Sequence, residues 1–572
     1  MKRGVDYPEW MSEVSIQTMN KGQLLDGENV FGAFDRIANA AACRLLKPEL
    51  KTLFYEAMER GWLCPATPVF SNLGTDRGLP ISCFSVDVDD SLYDIYDKLT
   101  EMAMLTKSGG GVGIGVNRIR GRGEEISGKG TSEGVIPWVH IYDSAILATN
   151  QGSVRRGACS INVNIRHLDI QEFIRMRRPE GDINRQNLNV HHCVQITDEF
   201  MESVLSGNKE DQELMIELLK TRFETGEPYL HFVDTTNRDN PQCYKDLGLE
   251  NSLTNICSEI VLHTDPDHTF VCCLSSLNLA KYDDWKDYKF ENGMTLPELS
   301  IWFLDGVLEE FIVKAKGKRG FENSIRFAEK SRALGLGVLG WHSFLQKKKI
   351  PFISLMATSY TNSIFKFIKE EADKATKALA LEYGEPEWCK GHGIRNTHLL
   401  ALAPTVSNSS RANASPSIEP YRANVTNYKG AQGVFIIKNP QLEELLKEKQ
   451  KNTKDVWKSI AMNGGSVSNL DFLTQEEKEV FLTFPEINQI ELVRQASYRQ
   501  KYIDQAQSMN LCFDNNVDPK YVWDTHLEAW KKGLKTLYYC RTESIIRGDV
   551  GSRGHQKKSV SKEDEDCSFC EG

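Results

Sequence analysis

No stretch of this sequence is long and apolar enough to be a membrane span, and Met1–Ser15 holds no uncharged core of signal-peptide length. Those absences point to a cytoplasmic protein that does not enter a membrane. A basic excess is missing too. Lys and Arg number 69 against 79 Asp and Glu, a net charge of −10. Surfaces that grip duplex nucleic acid by neutralising phosphates are normally basic, so that class is excluded. Small phosphorylated ligands are not excluded, because they need only a few local donors. No repeat recurs at solenoid periods. Cys567-Ser-Phe-Cys570 has neither a second Cys-x-x-Cys nor a close histidine, so tetrahedral zinc is not expected there, and no other metal site is.

What is present is ordinary for a soluble globular chain of 572 residues: 40% hydrophobic and 26% charged. Residues 1–60 read as a helical segment, with one-face spacing in Val30, Phe31, Phe34 and Ile37 and again in Leu50, Leu53 and Phe54. Residues 61–540 alternate short β-rich runs with amphipathic helices, which favours an α/β class. Strands are expected over Ile81–Val88, Ser160–Ile165, Val271–Leu279 and Gly433–Ile437. Helices are expected over Leu214–Phe223, over Ile364–Tyr383 closed by Gly384, and after a capping box Thr474…Glu477. Residues 541–572 are rich in Gly, Ser, Lys, Asp and Glu and cannot bury enough surface to offset chain entropy, so a mobile tail is expected.

Fourteen cysteines in a cytoplasmic chain are not a disulfide framework, because thiols there are kept reduced. Most should be buried small hydrophobes, and a few chemical. The spacing of Cys567 and Cys570 suits a dithiol that closes and reopens by exchange. In Asn255-Ile-Cys257-Ser-Glu259 an extended backbone would aim Asn, Cys and Glu to one side: a thiol to react, a carboxylate to move a proton, an amide to orient. Buried cysteine beside surface glutamate is the bland alternative. Cys83 and the adjacent Cys272 and Cys273 sit in strand-like runs, where at most one of the last two can face a shared site.

Two glycine-rich stretches fail as phosphate loops. Ser108–Gly115 lacks a preceding strand and the acidic ribose partner of a dinucleotide fold, and Gly123…Lys129 has Gly130 where a P-loop needs Ser or Thr. Their glycines can still let amides approach an anion, with Arg118, Arg120, Arg122, Arg155 and Arg156 near in sequence. Pro404–Asn413, dense in hydroxyls and amides, suits a helix cap or a phosphate cradle.

In order and spacing these segments resemble the ribonucleotide reductase large (alpha, catalytic) subunit family, most like class I. The resemblance runs from about Trp62 to Tyr539 and rests on Ala66-Thr67-Pro68 before the Cys83 strand, Asn255-x-Cys257-x-Glu259, Cys272, the hydroxyl loop, Thr536-Leu-Tyr-Tyr539 and the terminal dithiol. It implies a ten-stranded α/β barrel with Cys257 on a central finger loop. It implies reduction of ribonucleoside diphosphates to deoxyribonucleoside diphosphates. Cys257 would carry a thiyl radical, Glu259 would be the general base and Asn255 would hold the sugar. Cys83 and Cys272 would become a disulfide (Cys273 stays an alternative to Cys272), and Cys567 and Cys570 would reduce it again. Tyr538 and Tyr539 would pass the radical in from a metal-containing small subunit.

By the same resemblance Thr67, Ser82, Thr405, Ser407 and Asn408 would hold substrate phosphates, although Val406 and Asn408 stand where some relatives carry acidic or hydroxyl residues. Asp90, Arg120, Gln151 and Arg155 would bind a deoxynucleoside triphosphate or ATP effector at the interface of a homodimer. No cofactor is expected to reside permanently in the chain, thioredoxin or glutaredoxin would supply electrons, and no ATP-binding cone is expected at the N-terminus. Three alternatives remain. An adenosylcobalamin-dependent reductase is disfavoured by the tyrosine pair. A non-catalytic nucleotide-binding relative is disfavoured by the intact Cys, Asn and Glu set. A general thiol-disulfide oxidoreductase would leave that set unexplained.

Overall fold

The computed structural model of the protein describes residues 6–542 except 21, 129, 150–156, 180 and 431–432. Helices Glu13–Asn20, Val30–Arg44 and Leu50–Glu59 form the N-terminal segment. Val30, Phe34, Ile37, Leu50, Leu53 and Phe54 are buried as the 3.6-residue spacing requires. They pack on the long helix Leu296–Ala315, where Gly306 lets the Ala41 carbonyl approach: a Cβ there would lie 2.7 Å from it.

Two sheets face the interior. Strands β1 (Leu63–Pro65), β2 (Cys83–Asp87), β3 (Gly111–Gly115), β4 (Cys159–Asn164), β5 (His191–Ile196), β6 (Tyr229–Phe232), β7 (Phe270–Cys272), β8 (Leu274–Asn278) and β9 (Gly335–Leu339) come first in the chain. β2 to β6 run parallel in one sheet, with β7 antiparallel on β2 at one edge. β1, β8 and β9 form the second sheet, which parallel bridges from Leu336 to Leu400 and from Leu402 to Gln507 extend. After a hairpin of β10 (Val425–Gly430) and β11 (Gly433–Lys438), the short β12 (Leu511–Phe513) runs parallel with β14 (Cys540–Thr542). Between them in sequence, β13 (Thr536–Leu537) closes the first sheet antiparallel to β6. Strands of the parallel half are buried at nearly every position, as is normal where helices cover one face and a packed interior the other.

Most of the expected elements form. The capping box at Thr474 and Glu477 closes reciprocally, and the helix expected to end at Gly384 runs Leu355–Tyr383. The strand expected over Val271–Leu279 is split at Cys273, which lies between β7 of one sheet and β8 of the other. Among the described residues no helix is long and apolar enough to cross a membrane.

Candidate active site

A loop from Leu253 to Ile260 runs between the two sheets, and glycines make its path. Gly113 and Gly115 lie on one face of β3. A Cβ on Gly113 would stand 2.4 Å from the Thr254 carbonyl oxygen, and one on Gly115 would stand 2.4 Å from the Leu253 side chain. The glycines that failed as a phosphate loop are there to admit this backbone. On the far side, the Ala506 amide donates to the Glu259 carbonyl (2.9 Å), so the loop is tied to both halves.

The extended conformation expected for Asn255–Glu259 does not form. The chain turns sharply: the Ser258 amide donates to the Asn255 carbonyl (3.1 Å), and Ser258 takes a left-handed φ of 63°. Asn255 Oδ1 accepts from the Ile260 amide (3.1 Å) and pins the turn. Turning, rather than strand alternation, brings the three side chains together. All are buried, with Asn255 at 0%, Cys257 at 3% and Glu259 at 1% exposure.

The Cys83 and Cys257 thiols and the Glu259 carboxylate all lie within 4.8 Å of one another. Burial pushes the Glu259 carboxyl up to about 7, against the opposing pull of the neighbouring Asn255 amide and the Ser508 hydroxyl. That hydroxyl stands 2.5 Å from the Cys257 carbonyl and 3.0 Å from Glu259 Oε2. Glu259 Oε1, Asn255 Nδ2 and the hydroxyls of Ser82 and Ser417 are buried without a hydrogen-bond partner in the protein. Buried polar atoms are rarely left so, and a polyhydroxylated ligand would satisfy them. The arrangement offers a thiol shielded from water, a base near neutrality beside it and a second thiol to exchange electrons.

Backbone register distinguishes the adjacent cysteines. Cys272 stands directly opposite Cys83 across the antiparallel β2–β7 pair. Cys273 instead sends its thiol to the Leu304 carbonyl (3.5 Å) on the covering helix, and burial pushes that thiol well up.

Tyr538 and Tyr539 follow β13, their ring centroids 4.4 Å apart. Tyr538 is buried and Tyr539 half-buried. The Tyr538 amide donates to the Met509 carbonyl (2.8 Å) and the Tyr539 amide to Asn510 Oδ1 (3.1 Å), so both hang on the strip that begins at Ser508.

In the hydroxyl loop, helix Val406–Ala412 begins after Thr405, but Thr405 does not cap it. Its hydroxyl accepts from the Ser417 amide (2.7 Å). Asn408 Oδ1 accepts from buried Arg411 (2.6 Å), whose guanidinium also stacks on Phe70. Ser407 and Thr67 are half-buried, and Ser82 is buried just ahead of Cys83. Asp90 and Arg120 pair at 2.7 Å. Gln151, Arg155, Cys567 and Cys570 lie outside the described residues.

Sequence reasoning missed Ser508, a lone serine in Gln505-Ala-Gln-Ser-Met-Asn510 with no pattern to mark it. It also passed over Tyr229, which packs on both Tyr538 and Tyr539.

Family models match nearly the whole chain: "Ribonucleotide reductase, all-alpha domain" over residues 10–78, and "Ribonucleotide reductase, barrel domain" over 81–211, 208–391 and 386–540. A putative ribonucleoside-diphosphate reductase large subunit of Frog virus 3 (isolate Goorha) is 39% identical, covering 92% of this chain and 93% of its own. The ribonucleoside-diphosphate reductase large subunit of Caenorhabditis elegans is 28% identical over 91% of this chain and 75% of its own. Among solved structures, the Actinobacillus ureae class Id ribonucleotide reductase alpha subunit superposes with a TM-score of 0.86 at 38% identity, covering 94% of this chain and 98% of that one.

Proposed function

The chain belongs to the ribonucleotide reductase large-subunit family, and from that premise we propose that it reduces ribonucleoside diphosphates in the cytoplasm by thiyl-radical chemistry. The observation that carries this reading is the buried group of Cys83, Cys257 and Glu259 within 4.8 Å. Cys257 as a thiyl radical takes the 3′ hydrogen of the ribose. Glu259, held near neutrality, takes the 3′ hydroxyl proton. Asn255 Nδ2 is buried beside the Glu259 carboxylate without a well-formed hydrogen bond, suited to a sugar hydroxyl. Cys83 and Cys272 supply two electrons as the 2′ hydroxyl leaves as water, and join as a disulfide; Cys257 then returns its hydrogen to C3′ and is a thiyl again. Cys567 and Cys570 reduce that disulfide and are themselves restored by a thioredoxin or glutaredoxin.

Thr67, Ser82, Thr405, Ser407 and Asn408 hold the phosphates, Asn408 with its Oδ1 steadied by Arg411. Asp90 and Arg120, with Gln151 and Arg155, hold a deoxynucleoside triphosphate or ATP effector. Nearby helix Leu92–Lys107 exposes Leu92 and Tyr93 (65% and 81%), which supports a homodimer through this face. Tyr538 and Tyr539 bring the radical in from a metal-containing small subunit.

The test is conversion of CDP to dCDP with dithiothreitol and effector, supplied with either a class I small subunit or adenosylcobalamin. Turnover with the small subunit alone, lost in Cys257→Ser, is the expected result. Turnover with the cobalamin alone would return the tyrosine pair to packing. Silence in both, and with triphosphate substrates too, would overturn the reading.

A further inference from the structure

The chain that leaves the Leu253–Ile260 loop for β7 makes a tight turn, and three side chains able to bind a metal meet there. Asp265 and His268 exchange backbone hydrogen bonds across Pro266-Asp267, at 3.3 and 3.1 Å. His263, Asp265 and His268 each bring one donor atom into a group whose members all lie within 4.8 Å of one another. None of them belongs to the buried group of Cys83, Cys257 and Glu259. The spacing His-x-Asp-x-x-His carries no familiar zinc signature, so only the turn reveals the group.

The tautomer of His263 is fixed by its surroundings. Its Nδ1 stands 2.7 Å from the Glu250 carbonyl, which can only accept, so the proton of the neutral ring sits on Nδ1. Nε2 then has only a lone pair to present, and it stands 3.1 Å from Asp265 Oδ2, a second acceptor. Two acceptors at that distance need a proton or a metal cation between them. A ring nitrogen moored to a backbone carbonyl while the other stays bare is how metal-binding histidines are oriented. His268 Nδ1 stands 2.9 and 3.0 Å from the two Asp265 oxygens. Its Nε2 is buried without a hydrogen-bond partner, so nothing obliges Nδ1 to carry the proton. Donors about 2.0–2.1 Å from a tetrahedral zinc ion stand roughly 3.3 Å apart, close to these separations. Against the upward push of burial, the two imidazoles hold the Asp265 carboxyl below the usual carboxylate range, so it is anionic. Among the described residues Asp265 pairs with these histidines and with no Lys or Arg. The cations around it are engaged elsewhere: Lys98 with Glu101, Arg326 with Asp267 and Arg118 with Asp87. Trp388 covers both rings, 5.6 Å from His263 and 5.3 Å from His268.

We propose that His263, Asp265 and His268 bind a divalent transition metal of the zinc type through two imidazole nitrogens and a carboxylate oxygen, with water in the fourth position. Two imidazoles favour zinc over magnesium or calcium, which take shells of oxygen. The ion takes the place of the proton that otherwise bridges Nε2 and Oδ2. It does no chemistry on the ribose, and its work is mechanical. His263 follows Glu259 by four residues and His268 precedes Cys272 by four. The ion thus clasps the segment that joins the proposed base to one cysteine of the proposed disulfide.

The experiment titrates cobalt(II), a spectroscopic stand-in for zinc, into the chelator-treated full chain. Cys567→Ser and Cys570→Ser are introduced so that the terminal thiols do not compete for the ion. We expect one cobalt per chain, the visible absorption of a four-coordinate ion and no thiolate-to-cobalt charge-transfer band. Zinc added afterwards should bleach that absorption, and zinc alone should raise the melting temperature. Asp265→Asn and His263→Gln should each weaken cobalt binding by at least about tenfold and remove the rise with zinc. CDP binding by each variant checks that it folds. Absence of cobalt binding, binding that both variants retain, or a thiolate band overturns the proposal and leaves a protonated His263 bridged to Asp265. Should a variant fail to fold, X-ray absorption of the zinc-loaded chain decides: a shell of nitrogen and oxygen with imidazole scattering supports the site, and sulfur in the shell overturns it.

Discussion

Glu259 is a carboxyl with 1% exposure whose burial pushes it up to about 7, so its base form is half populated near neutrality. A general base must be ionised to act, so kcat/KM should fall as pH drops through about 7, and Glu259→Gln should lose roughly 10²–10⁴-fold in dCDP formation while retaining CDP binding. The Ser508 hydroxyl favours the ionised form, so Ser508→Ala should move that limb to higher pH, read from a pH profile of turnover. For stability the sign is opposite to that of a salt-bridged carboxylate. The contribution of Glu259 is fully present below its ordinary value of 4.5 and is lost as pH rises through about 7. At this scale the sequence was informative about which residues gather in the buried site and silent on how they meet. Asn255, Cys257 and Glu259 stand out as a triplet, but the left-handed Ser258 that gathers them has no local signature, since serine rarely takes that conformation.

Strands and helices with a clear period were legible. Strand β2 inside Ile81–Val88 and helix Leu355–Tyr383 around Ile364–Tyr383 form where hydrophobic spacing puts them. What stayed hidden was pairing over distance. Nothing near Gly113 announces that Thr254 will lie against it, because the contact joins residues far apart in sequence. The break at Cys273 was hidden for the same reason: one apolar run serves two sheets. The glycine seat gives a prediction at the level of this element. In Gly113→Ala the new methyl would stand 2.1 Å from the Ser85 hydroxyl and 2.4 Å from the Thr254 carbonyl, so strand and loop must part. Overpacking of this kind costs about 1–3 kcal/mol, to be measured by denaturant unfolding. Turnover should fall further than stability does, because the displaced segment carries Cys257.

Across the whole molecule, the barrel follows from alternation of elements only as far as the α/β class, and the resemblance supplied the rest. A double change, Cys567→Ser with Cys570→Ser, should abolish turnover driven by thioredoxin or glutaredoxin while sparing turnover driven by dithiothreitol, a comparison of two reductants in one assay. The junction at Cys273 has a consequence for the proposed work of that terminal dithiol. β7 and β8 belong to different sheets and are joined by that single residue, with its own thiol moored to the helix at Leu304. Cys272 is therefore riveted into the weld line of the barrel, opposite a strand flanked on both sides. A disulfide formed there has no slack with which to travel outward. Cys83 and Cys257, at 2% and 3% exposure, leave no doorway for a globular reductant. The disulfide proposed for Cys83 and Cys272 would thus be served only by a slender courier, and that is the part proposed for the terminal pair: the lock would travel with its own key.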